Sequence, residues 1–361
     1  MTDWLTASDE AAALELLHAR QCTDGLPVVI PTDERVQRMV IQSSMAGDMQ
    51  LGIMGPAGKV ATVEKVAVAA VMAGCLPDYM PVVVAAVQAI LKPEFDLTEM
   101  QATTHCTAPL LIINGPARRD CGPVSSGFGA LGPGHRANAS IGRALRLAMI
   151  NIGGGRAGTS DMALLGHPGK FTYCLAEDEE SSPFEPLHVS RGFTEDDSVV
   201  TVIGAEAPHS VIFSGDGDDP DSYQYLLNIL AVGLANAATN NATLTSGCAV
   251  VVLNPDHANL LAASGLDRQS IAEELYNRCK INTEELRRLV PNFAGDPEAT
   301  GDRYAFAGPE QILILMAGGG GLYSMVMPSW CAGANKNSPS SVLVESEFFC
   351  QVPGLAALTK N

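Results

Sequence analysis

The chain has few positive charges and few aromatic side chains. Its 361 residues include 22 Lys and Arg against 40 Asp and Glu, for a net charge of −18, and aromatic residues make up only 5%. Proteins that bind nucleic acid carry clustered Lys and Arg, so this balance argues against nucleic acid as a partner. Charged residues reach 17% and apolar residues 47%, which excludes intrinsic disorder and requires a large buried surface.

Long apolar runs and targeting patterns are also missing. Pro77 and Asp78 separate the apolar stretches 66–76 and 81–91, so each piece is too short to span a bilayer. The N-terminus, MTDWLTASDE, is acidic and has no signal-peptide pattern. The nine cysteines form no C-x-x-C pair and are interpreted as thiols. We therefore expect a cytoplasmic protein that does not bind membranes.

Histidines are concentrated in one part of the chain, but without metal-ligand spacing. Five of the seven lie between residues 105 and 209, namely His105, His135, His167, His188 and His209. No pair has the i,i+4 spacing of a helical metal site, and no zinc-type cysteine pattern accompanies them. The sequence therefore assigns no metal ligand and identifies no cofactor, although a metal-dependent enzyme remains an alternative.

Strand-like and helix-like segments alternate along the chain. The run Pro109–Gly115 reads as a strand, and Thr62 is expected to cap a helix that Gly74 ends. The alternation predicts an α/β fold with two α/β halves and largely parallel sheets, divided into domains 1–195 and 196–361. An apolar run ending in Asn114 echoes one ending in Asn254, which predicts that the halves are distantly related.

The densest chemistry lies between Gly166 and His188. Lys170, Cys174, Glu177 and His188 are catalytic candidates, because an amine beside a thiol lowers the thiol pKa and an imidazole with a carboxylate can move protons. Tyr173 is a further catalytic candidate, and His167 is a substrate-binding candidate. The alternative interpretation is a half-buried strand that continues into a solvated acidic loop.

A helix start rich in arginine is the main candidate for binding the substrate. His135, Arg136, Asn138 and Arg143 follow a Gly-rich loop and open a helix, where free amides and guanidinium groups suit a carboxylate or phosphate. The alternative is an ordinary helix whose arginines bind acids of the same chain. Asp24, in the turn Thr23-Asp24-Gly25, completes these candidates.

Two further candidates come from a glycine turn and an isolated lysine. The four residues Gly318–Gly321 follow an apolar run, and Gly319 and Gly320 are expected to let a ligand approach the backbone before a helix begins at Leu322. Lys65 lies in the first turn of an apolar helix, where burial would lower its pKa and make it a catalytic candidate.

Several long phrases resemble a poorly characterised family of bacterial proteins. They include TDGLPVV, EKVAVAAVMAGC, QATTHCTAPLLIINGPAR and GHPGKFTYC, and together they extend over nearly the whole chain. The resemblance implies a gene neighbour that encodes a small protein with a UGSC or CGSC motif, and a two-component enzyme for thiol or selenol chemistry. It assigns no catalytic residue, and it speaks against Cys106 because members usually have Pro after the preceding His.

The sequence favours a cytoplasmic enzyme of small-molecule metabolism. We expect acid–base or thiolate-assisted bond making or breaking, as in a lyase or a C–C or C–S bond-forming synthase, on a small anionic or carbonyl substrate. The alternatives are a metal-dependent hydrolase or hydratase, and a non-catalytic partner subunit of a thiol or selenol redox system. A homo-oligomer is expected, with a small redox protein as a second partner. In every version, the candidate residues converge in one hollow between the halves.

Overall fold

The computed structural model describes residues 4–345 apart from 217, 238, 294–297 and 332–336, so residues 346–361 of the expected second domain lie outside it. The described helices are α1 (Glu10–Ala19), α2 (Asp33–Gln42), α3 (Val63–Ala73), α4 (Met80–Leu91), α5 (Leu97–Ala102), α6 (Ala117–Asp120), α7 (Arg136–Asn151), α8 (Leu187–Ser190), α9 (Ser222–Leu234), α10 (Asn240–Leu244), α11 (Pro255–Ala263), α12 (Arg268–Arg278) and α13 (Thr283–Leu289). The described strands are β1 (Gln50–Met54), β2 (Lys59–Thr62), β3 (Ala108–Asn114), β4 (Cys174–Ala176), β5 (Val199–Ala205), β6 (His209–Ile212), β7 (Ala249–Leu253), β8 (Lys280–Asn282), β9 (Asp302–Tyr304), β10 (Ile312–Met316), β11 (Tyr323–Pro328) and β12 (Ser340–Leu343).

The expected α/β fold is confirmed, with two four-stranded sheets of mixed direction. The first sheet has the order β12-β5-β3-β4 and the second the order β10-β7-β11-β6. Only β3–β4 and β7–β10 pair in parallel, and the other neighbours are antiparallel, so the sheets contain less parallel pairing than the sequence led us to expect. Parallel neighbours need a long crossover, whereas the short connection 317–322 returns the chain in the opposite direction. The expected helix at Leu322 is therefore the strand β11.

The two sheets repeat one pattern and exchange one strand. In the first sheet, taken from β4 to β12, the three successive strand pairings are parallel, antiparallel and antiparallel. The second sheet, taken from β10 to β6, has the same three pairings in the same order. The edge strand β6 follows β5 in the chain but joins the second sheet, while β12 follows β11 but joins the first. The strands β3 and β7, which contain the similar apolar runs before Asn114 and Asn254, lie at equivalent positions in the two sheets. The domain boundary at 195/196 stays a prediction, and β5 and β12, both after it, pair in the first sheet.

The sheets form the two central layers of a four-layer arrangement. Alternate side chains of β3 face opposite sides, because successive residues of a strand point to opposite faces. Leu110 and Ile112 pack against the second sheet, together with Val250 and Leu315. On the outer face of the first sheet lie α2, α3, α4 and α7, and α9, α11 and α12 cover the outer face of the second. The core therefore consists of one apolar cluster between the sheets and one between each sheet and its helices.

Local signals account for the helix ends near the first sheet. The Thr62 side chain accepts a hydrogen bond from the backbone N–H of Lys65, and Gly74 ends α3 with a left-handed φ of 82°. The Thr62 hydrogen bond confirms the predicted N-terminal cap of α3, and the left-handed Gly74 confirms its predicted end. Helices α3 and α4 bury nearly every residue, which explains their almost wholly apolar sequences. Among the described residues, no helix combines the length and apolar character needed to cross a bilayer.

Candidate functional site

The residues of the Gly166–His188 stretch divide between the two ends of β4. Lys170 lies in the short 3-10 turn Pro168–Lys170 before the strand, and Glu177 directly follows it. Arg136 is the first residue of α7, and Arg146, ten residues later, contacts Asp161 close to Lys170. At a rise of about 1.5 Å per residue, the start of the helix therefore lies roughly 15 Å from Arg146. The expected single hollow is therefore divided between the two ends of β4. Lys170 lies at one end, whereas Glu177 and the start of α7 lie at the other, where Arg118 contacts the Glu177 carbonyl at 3.0 Å and lines a cavity with Arg136.

Lys170 belongs to a buried cluster of two cations and one anion. Its Nζ lies 2.7 and 2.8 Å from the two carboxylate oxygens of Asp161, and Arg146 Nη2 lies 2.8 Å from Asp161 Oδ2. The side chains are only 4% exposed for Asp161, 14% for Arg146 and 16% for Lys170. One carboxylate thus orients both cations at the amino-terminal end of β4.

Glycines allow this cluster to form. A Cβ at Gly142 of α7 would lie 2.7 Å from the backbone N of Tyr173, so only glycine lets the helix approach the turn before β4 so closely. Arg146 follows one helical turn later on the same face and therefore points to the same place. Gly154, with a left-handed φ of 73°, then turns the chain so that Asp161 returns to the helix.

The cluster changes how easily its groups ionise. Burial lowers the pKa of Lys170, the contact with Asp161 opposes this, and the charge of Arg146 adds to the lowering. Burial would raise the pKa of Asp161, but Lys170 and Arg146 outweigh it, and the pKa falls below its ordinary value. Asp161 therefore stays ionised, while Lys170 releases its proton more readily than an exposed lysine.

A cavity of about 320 Å³ opens beside the cluster. Asp24, Arg146, Arg156, Lys170 and Phe171 are among its lining residues. Arg156 Nε is buried without a hydrogen-bond partner, and the guanidinium makes no ion pair with the described residues. An unpaired guanidinium beside a cavity is a ready partner for an anion. The sequence alone pointed to neither Arg156 nor Asp161, although the run GGGRAGTSD after a helix was a signal of a tight functional loop.

A small inner space lies on the other side of the same two cations. Its volume is about 10 Å³, and Gln101, Thr107, Arg146 and Lys170 are among the residues around it. Gln101 Oε1 and Thr107 Oγ1 are both buried and have no hydrogen-bond partner in the described part of the chain. The volume suits one water molecule, which needs two to four polar partners of this kind. Lys170 therefore lines both this inner space and the cavity of about 320 Å³.

The thiol expected to be reactive is poorly placed for that role. Cys174 is 3% exposed and packs in the core between the first sheet and its helices. Burial raises the pKa of the Cys174 thiol, and Cys75 adds to the rise, whereas we had expected Lys170 to lower it. Cys106, just before β3, is half-buried and near enough to Lys170 to influence the pKa of its amine. Of these two thiols, Cys106 is therefore the one whose charge acts on Lys170.

Glu177 and His188 lie in a different buried network at the other end of the strands. Glu177 is fully buried, and its carboxylate accepts hydrogen bonds from Asn114 Nδ2 at 2.6 Å, the Leu187 N–H at 2.7 Å and Arg268 Nη2 at 2.7 Å. His188 is also fully buried. Neither ring nitrogen has a hydrogen-bond partner among the described residues, and Nδ1 lies 3.9 Å from Glu179. Because Arg268 begins α12, this network ties the first sheet to the second half of the chain.

Other predicted catalytic and binding side chains serve nearby backbone. The Tyr173 hydroxyl donates to the Glu206 carbonyl at 2.9 Å, and burial raises its pKa. His167 Nδ1 accepts from the Gly169 N–H at 3.1 Å, and burial lowers the pKa of His167. Lys65 Nζ donates to the Val60 carbonyl at 2.7 Å, a contact that involves none of the other candidates.

The residues at the start of α7 also separate. Asn138 is buried, and its side chain holds the preceding loop through the backbone of Ser125 at 2.8 Å. His135 Nε2 lies 3.0 Å from the Phe128 carbonyl oxygen. Arg143 turns away and forms a two-point ion pair with Asp24 at 2.7 and 2.8 Å. Through Asp24, Arg143 therefore supports the wall of the Lys170 cavity rather than the helix start.

The glycine turn contacts side chains of its own chain. The ring of Phe128 occupies the space that a Cβ at Gly319 would need. A Cβ at Gly320 would lie 3.3 Å from the carboxylate of Asp256, and that carboxylate accepts the Gly321 N–H at 2.7 Å. The close backbone approach expected at Gly319 and Gly320 is thus used for packing by Phe128 and Asp256.

The described residues contain no group of three or more His, Cys, Asp or Glu side chains arranged to hold a metal ion. No protein-family model, curated protein or solved structure matches this chain.

Proposed function

We propose that this protein is an enzyme of small-molecule metabolism that uses Lys170 as an acid–base group on a small anionic substrate. One observation carries the proposal: the lysine with a lowered pKa and the unpaired Arg156 line the same cavity of about 320 Å³. That volume is close to the lower end for small-ligand sites. Arg156 binds the anionic group of the substrate, and Lys170 acts on the part next to it.

The chemistry follows from the charges around Lys170. Asp161 holds the ammonium group in a fixed position, and Arg146 makes its proton easier to lose. Lys170 can therefore donate a proton to a leaving oxygen or to a developing carbanion beside a carbonyl, and recover it later. Proton transfer of this kind is what a lyase or a carbon–carbon bond-forming synthase requires.

Two other functions remain alternatives. A metal-dependent hydrolase or hydratase would bind a stoichiometric metal ion, which elemental analysis of the purified protein detects. A non-catalytic partner of a small redox protein would form a complex with that protein and turn over no substrate by itself. Cytoplasmic location and assembly into a homo-oligomer stay predictions of the sequence.

The test separates binding from chemistry at the same cavity. A panel of small carboxylates and keto acids is screened for consumption by the wild type, and kcat and KM are then measured for R156Q and K170M. We expect R156Q to raise KM about tenfold, and K170M to lower kcat at least about 100-fold. Arg20→Gln is the matched surface control, because Arg20 is exposed and does not line the cavity. Unchanged kcat in a folded K170M variant contradicts the proposal.

A further inference from the structure

A second cavity, of about 610 Å³, lies at the amino-terminal end of α7. Tyr79, Arg118, Arg119, Arg136 and Glu180 are among its lining residues. It is separated from Arg146 and the Lys170 cavity by about 15 Å of helix. In a chain of net charge −18, three guanidinium groups converge here and face a single acid of the lining, Glu180.

The arginines already hold an oxyanion supplied by the chain itself. Arg118 donates to both carboxylate oxygens of Glu180 at 2.8 Å, and Arg119 donates to one of them at 2.6 Å. The Glu180 side chain is 53% exposed, so this carboxylate can move into solvent, and the buried Arg118 then keeps Glu179 as an ion-pair partner at 2.8 Å. Arg136 has no acid partner among the described residues and donates only to the Gly74 carbonyl at 3.1 Å. The geometry therefore suits an oxyanion, and the Arg136 guanidinium forms no ion pair with any described residue.

The Tyr79 hydroxyl supplies a further donor. Tyr79 is only 2% exposed, and its ring packs directly against Gly122, where a Cβ would clash with it. Its hydroxyl nevertheless makes no hydrogen bond with the described residues, although it lines the cavity. A hydroxyl at the wall of a cavity, with no partner among the described residues, is free to donate to a ligand there.

The end of α7 adds positive potential to the same place. The helix has 16 residues, and the side chain of its first flanking residue, His135, makes no capping hydrogen bond. The first-turn amides therefore lack a side-chain acceptor, and Arg136 and Ala137 of that turn line the cavity. Free amides at the positive end of a helix dipole are a common binding place for anions.

We propose that this cavity is a binding site for a phosphoryl group, either free phosphate or the phosphate of a small ester. A carboxylate offers two oxygens. The two Arg118 donors that now bind Glu180, the guanidinium groups of Arg119 and Arg136, the Tyr79 hydroxyl and the helix amides are more donors than two oxygens can use. A phosphoryl group has three or four oxygens and a charge near −2, which matches this donor set. The ligand displaces Glu180 from Arg118 and Arg119. The site is separate from Lys170 and does not depend on the function proposed there.

The experiment is isothermal titration of the full chain with inorganic phosphate, glycerol phosphate and succinate at fixed ionic strength. The wild type is compared with Y79F, R119Q/R136Q and E180Q, and Arg20→Gln is the control for loss of one surface charge. Arg119, Arg136 and Glu180 are exposed, and Y79F removes only the hydroxyl oxygen. Thermal unfolding checks that each variant folds. We expect one phosphoryl ligand per chain, about tenfold weaker binding in R119Q/R136Q, and several-fold tighter binding in E180Q.

The outcomes decide the proposal and identify the ligand source. Binding of inorganic phosphate alone, or of glycerol phosphate alone, supports the site and shows which source it takes. Succinate that binds as tightly as phosphate overturns the phosphoryl assignment. No saturable binding, or binding that R119Q/R136Q leaves unchanged and R156Q abolishes, overturns the site, because the anion then binds at the Lys170 cavity or nowhere. Unchanged or weaker binding in E180Q overturns the displacement of Glu180.

Discussion

Replacing Asp161 by asparagine should damage the fold more than removing the lysine that it holds. Asp161 is the only anion in contact with both Arg146 and Lys170 among the described residues, at 2.7–2.8 Å. Asparagine keeps the size of the side chain but removes its charge. Two neighbouring cations, 14% and 16% exposed, are then left without a counter-ion.

The expected magnitude follows from that arrangement. Removing one partner of a buried ion pair costs about 3–5 kcal/mol. Both cations keep some contact with solvent, so we expect about 3 kcal/mol for D161N. K170M leaves Asp161 paired with Arg146 and loses charge-assisted hydrogen bonds of Lys170, for about 1–2 kcal/mol. The double variant D161N/K170M should cost less than the sum, because the lysine is no longer there to be left unpaired.

The stabilisation should depend on pH with a definite sign. The folded-state pKa of Asp161 is lowered from its ordinary value of 3.8, so its contribution is present above that value and is lost as the pH falls through the folded-state pKa. The difference in unfolding free energy between the wild type and D161N should therefore be full near neutral pH and shrink in acid.

Equilibrium unfolding in urea measures all four proteins of this cycle. The measurement is repeated at neutral pH and near the acid limit of the wild type. A D161N cost below about 1 kcal/mol, or strict additivity in the double variant, would refute the reasoning, because the carboxylate would then not be shared by two buried cations.

Three further predictions concern other contacts of the fold. Arg268→Met should lower the free energy of unfolding, measured in urea, by about 3 kcal/mol, because it leaves the fully buried Glu177 carboxylate without its guanidinium partner. A loss below about 1 kcal/mol contradicts the ion pair between Arg268 and Glu177. Gly142→Ala should cost about 1–3 kcal/mol, because its Cβ would meet the backbone of the turn before β4, and an unchanged thermal midpoint rules out that close approach. Iodoacetamide should label Cys106 faster than Cys174 in the folded protein, as burial raises the thiol pKa of Cys174, and peptide mass spectrometry showing the reverse order contradicts the assignment.

Some features of this protein follow from the sequence because they depend on near neighbours. Thr62 and Gly74 lie at the ends of α3 as expected, since capping and a left-handed stop involve residues only a few positions away. The strand at Pro109–Gly115 corresponds to β3, with an unbroken apolar run that packs on both faces. The echo between Asn114 and Asn254 coincides with equivalent strands of the two sheets.

The grouping of the site residues required the tertiary structure. His167-Pro168-Gly169 forms a turn, so Lys170 does not share a strand face with Cys174 and binds Asp161 instead. Arg156 has no local sequence partner that marks its role, and only the folded loop shows that its guanidinium is unpaired. Spacing along the chain carries no information on such contacts.

What the sequence by itself determined is the α/β class, the main helix caps and the stretches where chemistry is concentrated, because these depend on composition and short-range contacts. Only the tertiary structure decided that β6 and β12 exchange sheets, and that Lys170 and Glu177 lie at opposite ends of β4. Those outcomes depend on how distant apolar faces pack together. Two residues seven positions apart can therefore belong to different sites, while Asp24 and Arg143 meet across most of the first half of the chain.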